Sequence, residues 1–213
     1  MKDKNGRKDL VKDSIEVVID SLLTSEVVKS IPIINSVSNL ISVGCSVRDS
    51  IFAKKLHVFI YNIESAKEIH KAKVYDFAKQ ENSKEISEKI LDVIDSVTDM
   101  KKSELVAIFF LSYINGKLSE EYFRRSLDVI VSTFLDDIVN FLEIPMLQGW
   151  GINNISNSRF DPLRNSALLT QMNVDEYTRV SRGIEMNVYR DSTFGEHFRK
   201  AYKFGNGLRS EQS

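Results

Sequence analysis

Three histidines, one cysteine and a few carboxylate pairs are the residues here whose types could do chemistry. His57, His70 and His197 are too far apart to share a helix face, and none has a Cys or His partner at metal-ligand spacing. Cys45 sits among apolar neighbours and reads as a small buried hydrophobe, not an activated thiol. Glu120-Glu121 and Asp136-Asp137 are adjacent on predicted helices, so each pair points in two directions and forms no shared acid–base site. Glu120 and Glu121 are better placed as first-turn acids facing a positive helix end. No glycine-rich phosphate loop, HExxH, GxSxG or CxxC occurs. The expectation is a non-enzymatic protein with no cofactor and no metal.

Two other groups of residues could make contacts. Ser30–Val47 is 18 residues without a charge. As one helix it would span about 27 Å, against the roughly 30 Å of a bilayer core. Seven of its residues are Ser or Asn, which lipid would leave unsatisfied. A helix or hairpin buried in the body, an interfacial or partner-binding helix, and a span all remain open. Ile33, Val37, Leu40 and Ile41 are the residues that would touch a membrane surface or partner. The second group is arginine. Arg159, Arg164 and Arg190 are the candidate nucleic-acid contacts, because the guanidinium fork suits phosphate. Nucleic acid is the weaker partner class, with another protein or self-association ahead of it, since seven acids share residues 150–213.

The elements that must position these residues are mainly helical. The chain has 213 residues, 42% apolar and 28% charged, with only three prolines and nine glycines. So few breakers favour long helices. Apolar stripes at helical spacing predict helices over 8–29, 33–47, 51–63 and 65–80, with Ile69, Ala72, Val74 and Phe77 inward in the last and Lys54 and Lys55 outward on 51–63. Asn82-Ser-Lys-Glu85 is a capping-box spacing, Asp99 caps the next helix, and Asn115-Gly116 closes it. Ser119 caps a long helix to about Glu143, striped by Phe123, Leu127, Ile130, Phe134, Leu135, Ile138 and Leu142. Such stripes bury best on one another, giving a multi-helix bundle over 1–147. No internal repeat is expected.

Composition changes after the bundle. Residues 1–149 hold 20 Lys and Arg against 23 Asp and Glu, a net of −3; residues 150–213 hold 9 against 7, a net of +2, mostly as arginine. A polar linker over 148–157 precedes a small α+β, winged-helix-like module over 158–213. Its expected parts are a short helix from Asp161-Pro162 to about Leu169, a possible strand near 176–180, a strand over 184–189, and a helix opened by Thr193 and stopped by Gly205. The single cysteine and an N-terminus without an apolar leader core point to the cytosol, with peripheral attachment at the inner membrane face as the variant that 30–47 would require.

The closing stretch Thr193-Phe194-Gly195-Glu196-His197-Phe198-Arg199-Lys200-Ala201-Tyr202, preceded by Leu168-Leu169, resembles the C-terminal signature of the Abi-alpha family, bacterial proteins associated with abortive infection against phage. The resemblance implies a part in anti-phage defence and supplies no catalytic residue.

Overall fold

The computed structural model describes Thr24 and residues 26–32, 47–143, 161–172 and 188–208. The expected strand near 176–180, the linker, Cys45 and most of the helices over 8–29 and 33–47 lie outside them. Within them the chain is mainly helical, with one two-stranded antiparallel sheet. The α-helices are α1 (Glu26–Ser30), α2 (Val47–Glu64), α3 (Glu68–Ala78), α4 (Ser83–Ser96), α5 (Met100–Ile114), α6 (Glu120–Ser132), α7 (Leu135–Glu143) and α8 (Thr193–Gly207). Strands β1 (Leu169–Met172) and β2 (Val188–Asp191) pair with Leu169 opposite Asp191 and Thr170 opposite Arg190.

α5 is the centre. Its run Leu-Val-Ala-Ile-Phe-Phe-Leu is apolar all round, and every residue from Leu105 to Ser112 is buried. A helix with no polar face must be enclosed by neighbours. On one side Phe110 meets Phe59 of α2, Phe77 of α3 and Phe123 of α6 at 5.9, 5.1 and 6.3 Å. On the other, Phe109 meets Phe198 of α8 at 4.2 Å, and Phe198 meets Phe141 of α7 at 6.2 Å. Leu163, Leu168, Leu169 and Tyr189 join the same apolar cluster as these rings.

The caps predicted at Asp99 and Ser119 form, accepting from the amides of Lys101 and Tyr122. Gly116 closes α5 at φ 71°, a conformation that costs glycine little. Asn82 does not cap α4: its side chain donates instead to Glu120 Oε2 at 2.6 Å. Thr193 is likewise the first helical residue, and Ser192 is the cap, accepting from Gly195 at 2.8 Å. The short helix after Asp161-Pro162 is only a 3-10 turn to Leu163, and Leu169 begins a strand. The second strand sits at 188–191.

Three further expectations are corrected. The helix over 119–143 is two helices. Thr133 adopts extended geometry, φ −106° and ψ 143°, and Phe134 swings out to 81% exposure. The apolar period runs unbroken across this break, so periodicity cannot register it. Gly205 does not stop α8. It lies inside the helix where a Cβ would collide with the Ile108 carbonyl oxygen and the Ser112 hydroxyl, so it sets the closeness of α8 to α5. Ser112 also donates to the Ala201 carbonyl at 2.6 Å across that contact. Finally, Ile69 is 71% exposed, Ala72 is exposed, and Lys55 is buried.

The chain also carries an internal near-copy. Leu91-Asp-Val-Ile-x-Ser96 of α4 recurs as Leu127-Asp-Val-Ile-x-Ser132 of α6. Lys54-Lys55 of α2 recurs as Lys101-Lys102 of α5, with the first lysine exposed and the second buried in both pairs. The geometry matches residue for residue. Lys55 Nζ donates to the carbonyls of Asp95 and Val97 at 2.5 and 3.0 Å. Lys102 Nζ donates to those of Val131 and Thr133 at 3.4 and 2.6 Å. Each buried lysine therefore supplies donors to the orphan carbonyls at the C-terminus of a neighbouring helix.

Gly205→Ala should lower the unfolding free energy by about 1–3 kcal/mol in urea titration, because α8 must move off α5. Gly207→Ala, whose Cβ meets nothing within 4 Å, should be neutral or slightly stabilising. Equal effects at the two positions would contradict the packing role given to Gly205.

Candidate functional site

The corner between α6 and α7 carries Phe134, at 81% the most exposed large apolar side chain among the described residues. Lys102 anchors the first turn of α5 to the last turn of α6, so Met100, Val131 and Phe134 come to one end of the molecule. They are 36%, 41% and 81% exposed. Single exposed apolar residues are ordinary, whereas several at one corner ask for an explanation.

The near-copy supplies the comparison. At the end of α4 the equivalents of Val131 and Phe134 are Asp95 and Thr98. Asp95 pairs with Arg48 at 2.7 Å, and Thr98 is exposed. The same lysine contact thus closes two turns of different length, Val97–Asp99 before α5 and Thr133–Phe134 before α7, and the positions beside the cap are polar in the first and apolar in the second. The lysine contact itself does not demand Val131 or Phe134, since it forms at both turns. The C-cap residue, by contrast, is inward in both: Val97 is buried and Thr133 half-buried.

Charge around the corner is mostly negative. Asp99 caps α5 and is exposed. Asp136 is exposed and Asp137 half-exposed on the first turn of α7. Asp128, one turn before Val131, pairs with Lys89 at 2.9 Å. Lys101 is the exposed base on the first turn of α5. Burial lowers the affinity of the Lys102 ammonium for its proton, with partial compensation from Asp99.

The residues singled out from sequence are not brought together here. Ile33, Val37, Leu40, Ile41 and Arg159 lie outside the described residues. Arg164 follows the 3-10 turn and Arg190 lies on β2; both are exposed. Arg199, in contrast, is 9% exposed and spends its guanidinium on Asp191 at 2.5 and 3.1 Å and on the Phe141 carbonyl, over whose ring it also stacks at 3.7 Å.

The histidines are separate. His57 stacks on Tyr61, His70 Nδ1 lies 2.8 Å from Asn115 Oδ1, and His197 Nδ1 lies 2.7 Å from the Thr193 carbonyl. Among the described residues no group of three or more His, Cys, Asp or Glu could hold a metal, and no helix is long and apolar enough to cross a membrane.

Two polar clusters remain, and both are satisfied internally. Glu120 accepts from Arg124 at 2.8 Å and from Asn82, and these bonds hold its carboxyl below the usual range. Arg124 reaches on to Glu85 at 2.8 Å, and Asn82 touches the Tyr113 hydroxyl. A shallow depression at the α2–α3 turn is lined by Tyr61, Glu64, Lys67, Glu68 and Lys71, with Lys71 held between the two glutamates at 3.6 and 2.8 Å. Neither cluster leaves a group poised for acid–base work.

No family model, no curated protein and no solved structure matches the chain.

Lys102→Met should cost about 1–3 kcal/mol of stability, because two carbonyls at the end of α6 lose their donor. Lys101→Met, at its exposed neighbour, should stay within about 0.5 kcal/mol. The comparison is made by chemical denaturation, and indistinguishable midpoints would remove Lys102 as the anchor of the corner.

Proposed function

We propose that the chain is a non-enzymatic helical interaction protein, and that it serves a bacterial anti-phage system of the abortive-infection type. One observation carries the interaction reading: Val131 and Phe134 stand exposed where the equivalent corner of the same fold uses Asp95 and Thr98. An exposed Phe that folding does not require is best explained by a contact outside the chain, because aromatic anchors contribute much of the energy at protein interfaces.

The defence reading has separate support, the resemblance of Thr193–Tyr202 to the Abi-alpha signature. Packing accounts for part of that signature. Phe194, Phe198 and Ala201 are buried, and Gly195 lies so close under the Leu168 carbonyl oxygen that a Cβ would collide with it. The signature thus specifies how α8 seats on β1 and α7, and the defence role is carried by the likeness.

A DNA-binding role through a winged-helix-like C-terminal module has less behind it. Arg164 and Arg190 are exposed, but Arg199 is committed to Asp191 and Phe141.

Deletion of the gene from its host should raise plaque counts for at least one phage in a broad panel. Restoring wild-type protein should lower them again, and a Val131→Asp, Phe134→Thr protein should not. Unchanged susceptibility across the panel would remove the defence role. Full rescue by the double variant would detach that role from this corner.

A further inference from the structure

The partner chemistry of the Phe134 corner can be taken further, resting on the interaction reading above. Of the side chains that rim it, Asp136 and Asp137 carry negative charge with no ion pair among the described residues, Asp99 lies close enough to support the charge of Lys102, and Lys101 is an exposed base on the first turn of α5. Asp128 is engaged by Lys89.

The acids matter because of where they sit. Asp136 and Asp137 follow Phe134 directly, on the first turn of α7, where a carboxylate is favoured by the helix end. That placement explains why two adjacent acids are tolerated by the fold. It also means that any partner seating an apolar pocket or side chain on Phe134 comes within a few ångströms of their charge.

An anionic lipid surface meets repulsion there, and a neutral apolar surface leaves the carboxylates to be desolvated without compensation. A partner with bases beside its apolar anchor meets neither cost, and at half-exposed sites such pairs act over about 8–10 Å at ordinary ionic strength. We infer that the α6–α7 corner is a docking site for a basic, amphipathic segment of another protein, with Phe134 and Val131 as the apolar anchor and Asp136 and Asp137 as the charge-selecting rim.

The corner that lacks the apolar pair also differs in how its acid is met. At the end of α4, Asp95 is covered by Arg48 from α2 of the same chain. There an acid beside the turn meets an internal base. At the corner after α6, Asp136 and Asp137 have no such ion pair among the described residues.

The test uses the full chain and three labelled helical peptides of one length, built from Leu with Lys, Leu with Glu, and Leu with Gln, read by fluorescence anisotropy at low and physiological salt. Vesicles of phosphatidylglycerol serve as the lipid probe. The Leu/Lys peptide should bind, and raising salt should weaken it. Val131→Asp with Phe134→Thr should reduce its affinity by roughly tenfold or more, although the variant adds an acid, while thermal melting stays unchanged. Asp136→Asn with Asp137→Asn should reduce it by about three- to tenfold and flatten the salt dependence.

Equal binding of Leu/Lys and Leu/Glu, lost together on Val131→Asp with Phe134→Thr, would overturn the charge selection and leave the docking reading standing. Leu/Lys binding that the same double variant does not change would overturn both. Vesicle flotation that depends on Phe134 would overturn the protein partner in favour of lipid. Binding by none of the probes would sink the site altogether.

Discussion

Buried cations placed on the C-terminal carbonyls of neighbouring helices are the constraint on which this arrangement depends. The last carbonyls of a helix have no partner within it, and at a crowded bundle corner water is a poor substitute. Lys55 ends α4, Lys102 ends α6, and Arg199 reaches the Phe141 carbonyl in the last turn of α7. Each cation crosses from one helix to another, so the cap is also a tertiary clamp. Burying an ammonium opposes its charge, and the clamps persist because the carbonyls and the negative helix end offset much of that cost. Arg199 has Asp191 in addition, which makes it the joint between α7, β2 and α8. A buried pair of this kind is costly to break from one side, since the remaining charge is left without compensation.

Much of the fold was legible in the sequence, and the illegible parts share a cause. Helix starts at Asp99 and Ser119 and the glycine stop at Gly116 could be read because the cap is local, made by residues within a turn of the helix end. The break at Thr133 could not, because the apolar period runs unbroken across it and the donor to the carbonyls there, Lys102, stands some thirty positions earlier. Lys55 was expected outward for the same reason: a lysine's usual place is solvent, and only the end of α4 makes it an inside residue. Gly205 was expected to stop a helix, whereas its role is to let two helices touch.

The candidate site was hidden by the same ambiguity. Phe134 fits the apolar stripe of α6 at helical spacing, so a reading by period counts it as core. A signal was nonetheless present. Leu-Asp-Val-Ile-x-Ser occurs twice, and aligning the copies sets Phe134 against Thr98 and Val131 against Asp95. The structure supports that alignment through the lysine contacts, which fall on corresponding carbonyls although the two links differ in length. Val131 and Phe134 are therefore not required by the lysine contact that the two corners share.

Lysine side-chain nitrogen NMR tests the clamp most directly. Burial lowers the proton affinity of both Lys55 and Lys102, so in the window just below the ordinary lysine range the unfolded chain holds more protons than the folded one. Stability contributed by the two residues therefore grows as pH rises through that window. In a titration of the lysines, the Nζ resonances of Lys55 and Lys102 should exchange slowly and shift at a pH below the ordinary lysine range. Fast exchange at Lys55 and Lys102, with titration in the ordinary lysine range, would show that the two ammonium groups sit in water and that the helix ends are held by something else.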